Sequence, residues 1–369
     1  MGLAWFGDYV LDSEDDLRHT TYMAGKTHRI GPSIIETAKA FASEENCHAY
    51  LEAARWPNGV RCLQCDHDKL SKFTVKGKTR TVTDKRTGET TSKTGPDRFM
   101  YQCLNSACKY QFAANTGTIF TDTHLPLNKW MMAIALMCNA KKGVSAKQME
   151  RDLGVSYKTA WYLDHRIREA MDEGIGNLFT GTVEIDETYM GGKYDKRRAR
   201  AKYDKAPVFG IVERGAEGQH SRVSAGHIKA ANHYFIGPKI KGQVSPEAKV
   251  MTDESRLYEA LDKLYDHEIV NHSGKEWVRG SVHTQGVDGF WSLLKRGIIG
   301  SFHQVSVKHL DRYIAEFQFR FNNREDQEIF AAVIIGLVIK GALRYKALTA
   351  SEALPAEPAD PLTLDDEPF

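Results

Sequence analysis

The stretch Val183-Glu184-Ile185-Asp186-Glu187-Thr188-Tyr189 decides how the rest of the chain is read. Val183, Ile185 and their β-prone neighbours predict a strand, which Gly191-Gly192 ends. Asp186 then stands near the strand's end, at the rim of a sheet. A buried strand acid is costly unless something positive binds it, and a divalent metal meets that need. Taken alone, Asp186 reads equally as a salt-bridged or solvated acid at an element end. The other acids of the chain decide between the two.

Downstream of this strand, Pro207 to Val212 and Ser221 to Ala225 read as strands, with Tyr234 to Ile236 as a weaker one. Val250-Met251-Thr252 is a short apolar strand ending at Asp253. Residues 256–264 read as helical, and Ile269-Val270 as extended. A mixed sheet flanked by helices follows. Over 284–297 a helical wheel puts Val287, Phe290, Leu293 and Leu294 on one face and Gln285, Asp288, Ser292 and Lys295 on the other. The first face is expected to pack on the sheet. A second amphipathic helix over 306–321 carries Val307, Leu310, Ile314, Phe317 and Phe321, and residues 327–346 read as an apolar helix.

Upstream, Cys62-Leu63-Gln64-Cys65 and Cys103-Leu104-Asn105-Ser106-Ala107-Cys108 form two paired-cysteine knuckles. Four such thiolates suit tetrahedral Zn2+, because each short knuckle can donate two ligands. Phe73-Thr74-Val75 and Arg98 to Tyr101 are expected as strands of a zinc ribbon, with a basic, solvated hairpin or loop between them. Cys47 and Cys138 have no paired neighbours and read as structural.

Residues 34–55 and 126–171 read as helical. Ser145 can cap one short helix, Gly154 turns the chain, and Ser156 caps the next. This is helix-turn-helix spacing, and also that of an ordinary helical hairpin. In the first reading, Tyr157, Lys158, Thr159, His165 and Arg166 occupy exposed positions of a recognition helix that enters a DNA major groove. The basic run holding Lys196, Arg197 and Arg198 reads as a loop for DNA phosphates or as a solvated charge run.

The net charge of the 369 residues is +2, and it would be +8 without the six acids of residues 351–369. A polyanionic partner is therefore plausible. The acidic tail holds four of the eleven prolines and reads as disordered. Met1-Gly2-Leu3-Ala4-Trp5 lacks the features of a signal peptide, and the apolar run Ile329 to Ile339 is too short to span a bilayer. A cytoplasmic protein without membrane contact is expected, its cysteines reduced. The pattern divides the chain into an arm and helix (1–55), a zinc ribbon (56–125), a helix-turn-helix (126–175), a mixed-sheet domain (180–325), a C-terminal helix (326–350) and the tail (351–369). The fold class is thus multidomain, mixed α+β and α/β.

Asp186, Asp253 and Asp288 are hard-oxygen ligands suited to Mg2+ or Mn2+. Paired ions held between them could activate a water or hydroxyl and stabilise the leaving oxygen of a phosphodiester. Lys295 would contact a phosphate.

With these pieces in place, the chain resembles the bacterial insertion-sequence transposases that carry an N-terminal zinc ribbon and a DDE-type catalytic domain of RNase H-like fold. The likeness rests on the four knuckle cysteines, Thr116 to Phe120 before Trp130, Val183 to Lys193, Asp253-Glu254-Ser255, His283-Thr284, Gly289 to Gly297 and Arg320 to Arg324. It covers about residues 45–325. It implies that Asp186 and Asp253 are the first two catalytic acids. Asp288, separated from Asp253 by 34 intervening residues, stands as the third and Lys295 as the basic residue after it. The family's usual third acid is Glu and the usual residue at 285 is Asn, so Gln285 and His283 remain alternative third ligands; Leu63 replaces a Pro common in the first knuckle. The resemblance further implies binding of double-stranded DNA at terminal inverted repeats and at target sites. Metal-dependent strand cleavage and strand transfer, a homo-oligomer on DNA, and a bacterial, nucleoid-associated location go with it. A non-catalytic DNA-binding derivative and a nuclease acting on RNA–DNA hybrids are the competing readings.

Overall fold

The structure, a computed structural model, describes residues 32–349 apart from 84–86, 96, 175, 192–204 and 217. The N-terminal arm, the basic run with Lys196, Arg197 and Arg198, and the acidic tail therefore lie outside the described residues. The chain divides into two compact units, drawn from the described parts of 1–139, 149–170 and 325–344, and of 140–148, 171–324 and 345–369.

The first unit begins with two helices, α1 (Ile34–Ala40) and α2 (Glu44–Arg55), where the periodicity predicts one. The break is chemical: Ser43 accepts from the Asn46 amide and starts α2 afresh. Next come β1 (Leu70–Val75), β2 (Thr79–Thr83), β3 (Thr90–Thr94), β4 (Arg98–Cys103) and β5 (Gln111–Phe112). β4 lies between β1 and β5, antiparallel to both, with Phe73 opposite Met100 and Leu70 opposite Cys103. The basic stretch between β1 and β4 is a separate exposed hairpin of β2 and β3.

Helices α3 (Leu127–Asn139), α4 (Ala146–Leu153) and α5 (Tyr157–Ala170) follow. Ser145 accepts from the Gln148 amide, Gly154 takes φ +58°, and Ser156 accepts from the Thr159 amide. Of the side chains expected on the exposed side of α5, Tyr157 and Lys158 are exposed and Thr159 is half-buried. His165 and Arg166 are not exposed: they retain 0% and 4% of their accessible surface. Arg166 donates to the Thr121 carbonyl and lies over the rings of Trp130 and Tyr162. Packing within the unit thus takes up the Arg166 guanidinium that a recognition helix would offer to DNA.

The apolar helix of this unit, α9, spans Ile329–Ile339 and is shorter than the predicted 327–346, because Lys340 leaves the helix with extended backbone. Phe330 stacks on Phe41, and a Cβ at Gly336 would sit 2.5 Å from the Ala170 carbonyl oxygen, so glycine lets α9 close on α5.

The second unit is built on a five-stranded sheet of β6 (Thr182–Met190), β7 (Ala206–Glu213), β8 (Arg222–His227), β9 (Lys249–Asp253) and β10 (Asp266–Val270), in the order β10-β9-β6-β7-β8. The β6–β7 and β7–β8 pairs are antiparallel, and β6–β9 and β9–β10 are parallel. On one face Val183, Ile185, Phe209 and Ile211 meet Ile236 and Ile240 of α6 (His233–Gln243) and Tyr258 and Leu261 of a 3-10 helix (Arg256–Lys263). The predicted weak strand Tyr234 to Ile236 is the first turn of α6. Asn232 caps that turn by accepting from Phe235, and Ile236 and Ile240, four residues apart, share its buried stripe. On the other face Val208, Val212 and Val223 meet α7 (Gln285–Gly297) and α8 (Val307–Asn322). A short helix, α10 (Tyr345–Thr349), ends the described chain. No helix among the described residues is long and apolar enough to cross a membrane.

Candidate active site

Strand pairing sets the first two acids. The β6–β9 ladder is in register at Thr182–Lys249, Val183–Val250 and Glu184–Met251, and stops there. Continued by two residues, the same register puts Asp186 beside Asp253, on the same face as Glu184. Beyond Glu184, β6 pairs with β7 alone, up to Met190 opposite Ala206, while Asp253 pairs outward with Val270. The two acids therefore stand where the sheet parts, a place at which open sheets bind ligands. Asp186 is interior to β6, not at its end.

Helix α7 brings the third acid. Its apolar stripe is the predicted one with Trp291 added: Val287, Phe290, Trp291 and Leu294 are buried, Leu293 is half-buried, and Gln285, Asp288, Ser292 and Lys295 are exposed. Two hydrogen bonds stitch α7 to β6. The Val287 amide donates to Oε2 of Glu184 at 3.0 Å, and Nε1 of Trp291 donates to Oδ2 of Asp186 at 2.9 Å. Four helical residues rise about 6 Å. Two strand residues rise about 6.6 Å. The helix thus tracks the strand one contact per turn, and Asp288 and Lys295 open onto the cleft that Asp186, Glu187 and Thr188 also line.

Glu184 was not singled out from the sequence, yet it is fully buried. It caps α7 in place of Thr284, whose side chain makes no cap bond. Arg214, just past β7, donates to Glu184 through Nε at 2.6 Å, to the Ser281 carbonyl, and to both Nδ1 and the carbonyl of His283. Arginine only donates, so Nδ1 of His283 is an acceptor here. That ring nitrogen of His283 is thus engaged by Arg214. A Cβ at Gly286 would lie 2.8 Å from Oε2 of Glu184. A strand acid followed by alternating apolar residues carries no local signal of such a cap; only the register of β6 under α7 creates it.

The charges are strained in the direction a cation relieves. Burial, with Glu187 and Asp253 adding repulsion, pushes Asp186 up to about 7, while the Glu187 amide and the Trp291 indole pull the other way. Burial also raises Glu187, whose Oε2 accepts from the Tyr258 hydroxyl, with Asp253 adding to the rise. Asp288 is raised by burial and by Glu184, against His272 and Lys295. Oxygen donors crowded until one holds its proton near neutrality fit a hard divalent ion.

The thiol site is tighter. Among the described residues, Cys62, Cys65, Cys103 and Cys108 are the only group of three or more His, Cys, Asp or Glu whose ligand atoms all lie within 4.8 Å of one another. Sγ of Cys62 and Cys108 are 3.8 Å apart, and those of Cys65 and Cys103 3.6 Å. Each knuckle closes through a residue in the left-handed region, Asp66 at φ 57° after Cys65 and Lys109 at φ 51° after Cys108. Cys47 and Cys138 are buried elsewhere in that unit.

Comparison with known proteins finds matches over the regions that hold both sites. A family described as the ISXO2-like transposase domain matches residues 179–322, and one described as the transposase zinc-ribbon domain matches residues 42–111. The chain is 30% identical over 300 residues to the "Uncharacterized protein in transposable element ISH50" of Halobacterium salinarum, a match covering 76% of this chain and 92% of the relative. It is 31% identical over 107 residues to an "Uncharacterized transposase-like protein" of Haemophilus influenzae, covering 29% of this chain and 84% of that protein.

Proposed function

Because the chain belongs to the ISXO2-like transposase family, with its zinc-ribbon and DDE domains, we propose that it cuts and joins DNA at the ends of an insertion sequence. The observation that supports this reading is that Asp186 and Asp253 stand where β6 and β9 part, with Asp288 lining the same cleft as Asp186. The strand order, three antiparallel strands with two more parallel to the first, supports an RNase H-like catalytic domain. Asp186 and Asp253 would hold Mg2+ or Mn2+, with Asp288 completing the set and Gln285 next to it at the start of α7. When bound, the metal supplies Lewis-acid charge to the scissile phosphate and its attacking and leaving oxygens.

The chain's own residues do the rest. Trp291 fixes one oxygen of Asp186 and leaves the other for the cleft. Tyr258 holds Glu187 back beside it. Lys295 and Arg296, exposed on the same wall, meet the DNA backbone. The ribbon, held by structural zinc, and Tyr157, Lys158 and Thr159 at the start of α5 read the terminal repeats in a helix-turn-helix arrangement. The basic run with Lys196, Arg197 and Arg198 adds phosphate contacts. Two element ends must be held together, so the working form is a homo-oligomer on DNA.

The test is nicking of a supercoiled plasmid carrying the element's ends, with Mg2+ or Mn2+. The expected result is metal-dependent nicking that Asp186→Ala and Asp253→Ala abolish while DNA binding stays within about two-fold, since neither acid contributes favourable charge to phosphate binding. Specific binding with no nicking by the parent protein would replace this reading with a non-catalytic DNA-binding protein. Preference for an RNA–DNA hybrid would replace it with a hybrid nuclease.

A further inference from the structure

The loop after β10 is built more rigidly than a connector requires. Glu254, the residue after Asp253, accepts from the amides of His272 and Ser273 at 2.8 and 2.9 Å and from the Ser273 hydroxyl. Within the loop, Oδ1 of Asn271 accepts from the Gly274 amide at 2.8 Å, and its carbonyl accepts from the Glu276 amide at 2.9 Å. Lys275 is held at φ 61°, a conformation L residues rarely adopt. The far end is stapled as well: Arg279 bridges to Val282, which is buried, and donates to the Ile269 carbonyl.

This rigid loop displays an aromatic ring. Trp277 is 60% exposed, and one side of its ring packs against His272 in a tilted arrangement, centroids 4.7 Å apart at 33°. Lys275 and Arg279, both exposed, flank it, Arg279 being also paired with Glu268 and Glu276. A chain of contacts ties the platform to the acids: Glu254, which adjoins Asp253, accepts from the His272 amide, and the His272 ring backs Trp277. A fixed ring with a free face, set between cations, suits a base that has left the duplex stack. Stacking on an aromatic face needs no particular base, and the cations track the phosphates on either side.

We propose that Trp277, backed by His272, is a stacking platform for an unpaired nucleobase next to the phosphate held at Asp186, Asp253 and Asp288. This deepens the transposase reading and rests on it.

The experiment uses the full-length protein with Ca2+ in place of Mg2+ to suppress cleavage. It is titrated into a forked duplex whose unpaired arm carries 2-aminopurine beside the junction, and into the matching blunt duplex. Saturable quenching of the 2-aminopurine on the fork is expected. Trp277→Ala should lose that quenching and bind the fork about ten-fold more weakly, with blunt-duplex binding changed by less than about two-fold. Trp277→Phe should restore most of both, since it keeps a π-face. Because the side chain is exposed, both variants are expected to fold, which unchanged melting would verify. Equal quenching by Trp277→Ala and the parent overturns the platform, as does an equal loss on fork and duplex. A parent that binds the duplex without quenching the fork removes the platform alone. A parent that binds neither DNA removes the platform together with the reading beneath it.

Discussion

The indole Nε1 of Trp291 donates a 2.9 Å hydrogen bond to Oδ2 of Asp186, tying the first candidate acid to the helix that carries the third. Trp291 can lie there only because the strand below it is bare. A Cβ on Gly210, opposite Asp186 on β7, would come within 2.5 Å of the indole ring. Position of the acid, packing of the helix and a glycine on the neighbouring strand are one arrangement.

Trp291→Phe keeps the ring's bulk and removes the donor. The lost bond to a charged acceptor should cost about 1.5–3 kcal/mol at pH 8. Gly210→Ala should displace the ring by overpacking, at about 1–3 kcal/mol. Denaturant melts check both. The double variant should lose less than the sum, because each change breaks the same bond.

Asp186 should weaken the fold as pH rises. Its carboxyl is raised from 3.8 to about 7 in the folded chain. Below pH 3.8 both states keep the proton and there is no penalty. Between there and pH 7 only the unfolded chain gives it up, so stability falls, and above pH 7 the loss is complete. Its upper limit is on the order of 4 kcal/mol. Asp186→Asn should therefore melt higher than the parent at pH 8 and nearly level with it at pH 4, while losing cleavage. Mn2+ should raise the parent's melting temperature and not the variant's.

Glu184→Ala should be among the most damaging single changes in the second unit. It strands Arg214 and uncaps α7, for a loss of about 3 kcal/mol. Glu184→Gln can still accept from Val287 and should cost less. Hydrogen exchange locates the effect: faster exchange over the first turn of α7 is expected in both, more in the alanine variant. Unchanged exchange there would sink the capping role.

Purified protein should hold about one zinc per chain, as a four-thiolate site requires. Cys62→Ser or Cys103→Ser should release it and expose the remaining thiols to alkylation. The sheet of the second unit, which contains none of the four cysteines, should keep its melting transition.

The sequence by itself determined whatever repeats locally. Two cysteine pairs at short spacing announce a tetrahedral site, because a knuckle is made within one turn of chain. The alternation in β6 and the stripe on α7 announce which faces are buried, because side-chain direction follows from backbone periodicity. The caps at Ser145 and Ser156 lie within three residues of the amides they satisfy.

Tertiary structure alone decided what meets across long separations. Asp186 and Asp253 each stand two residues beyond the last pair of a parallel ladder, and Glu184 becomes the cap of a helix about a hundred residues away. His165 and Arg166 are buried, Arg166 against Thr121, Trp130 and Tyr162 of its own unit. Tyr234 to Ile236 turn helical because a cap and a core-facing stripe outweigh β propensity. In each case the deciding partner is brought by the fold, and no spacing along the chain encodes it.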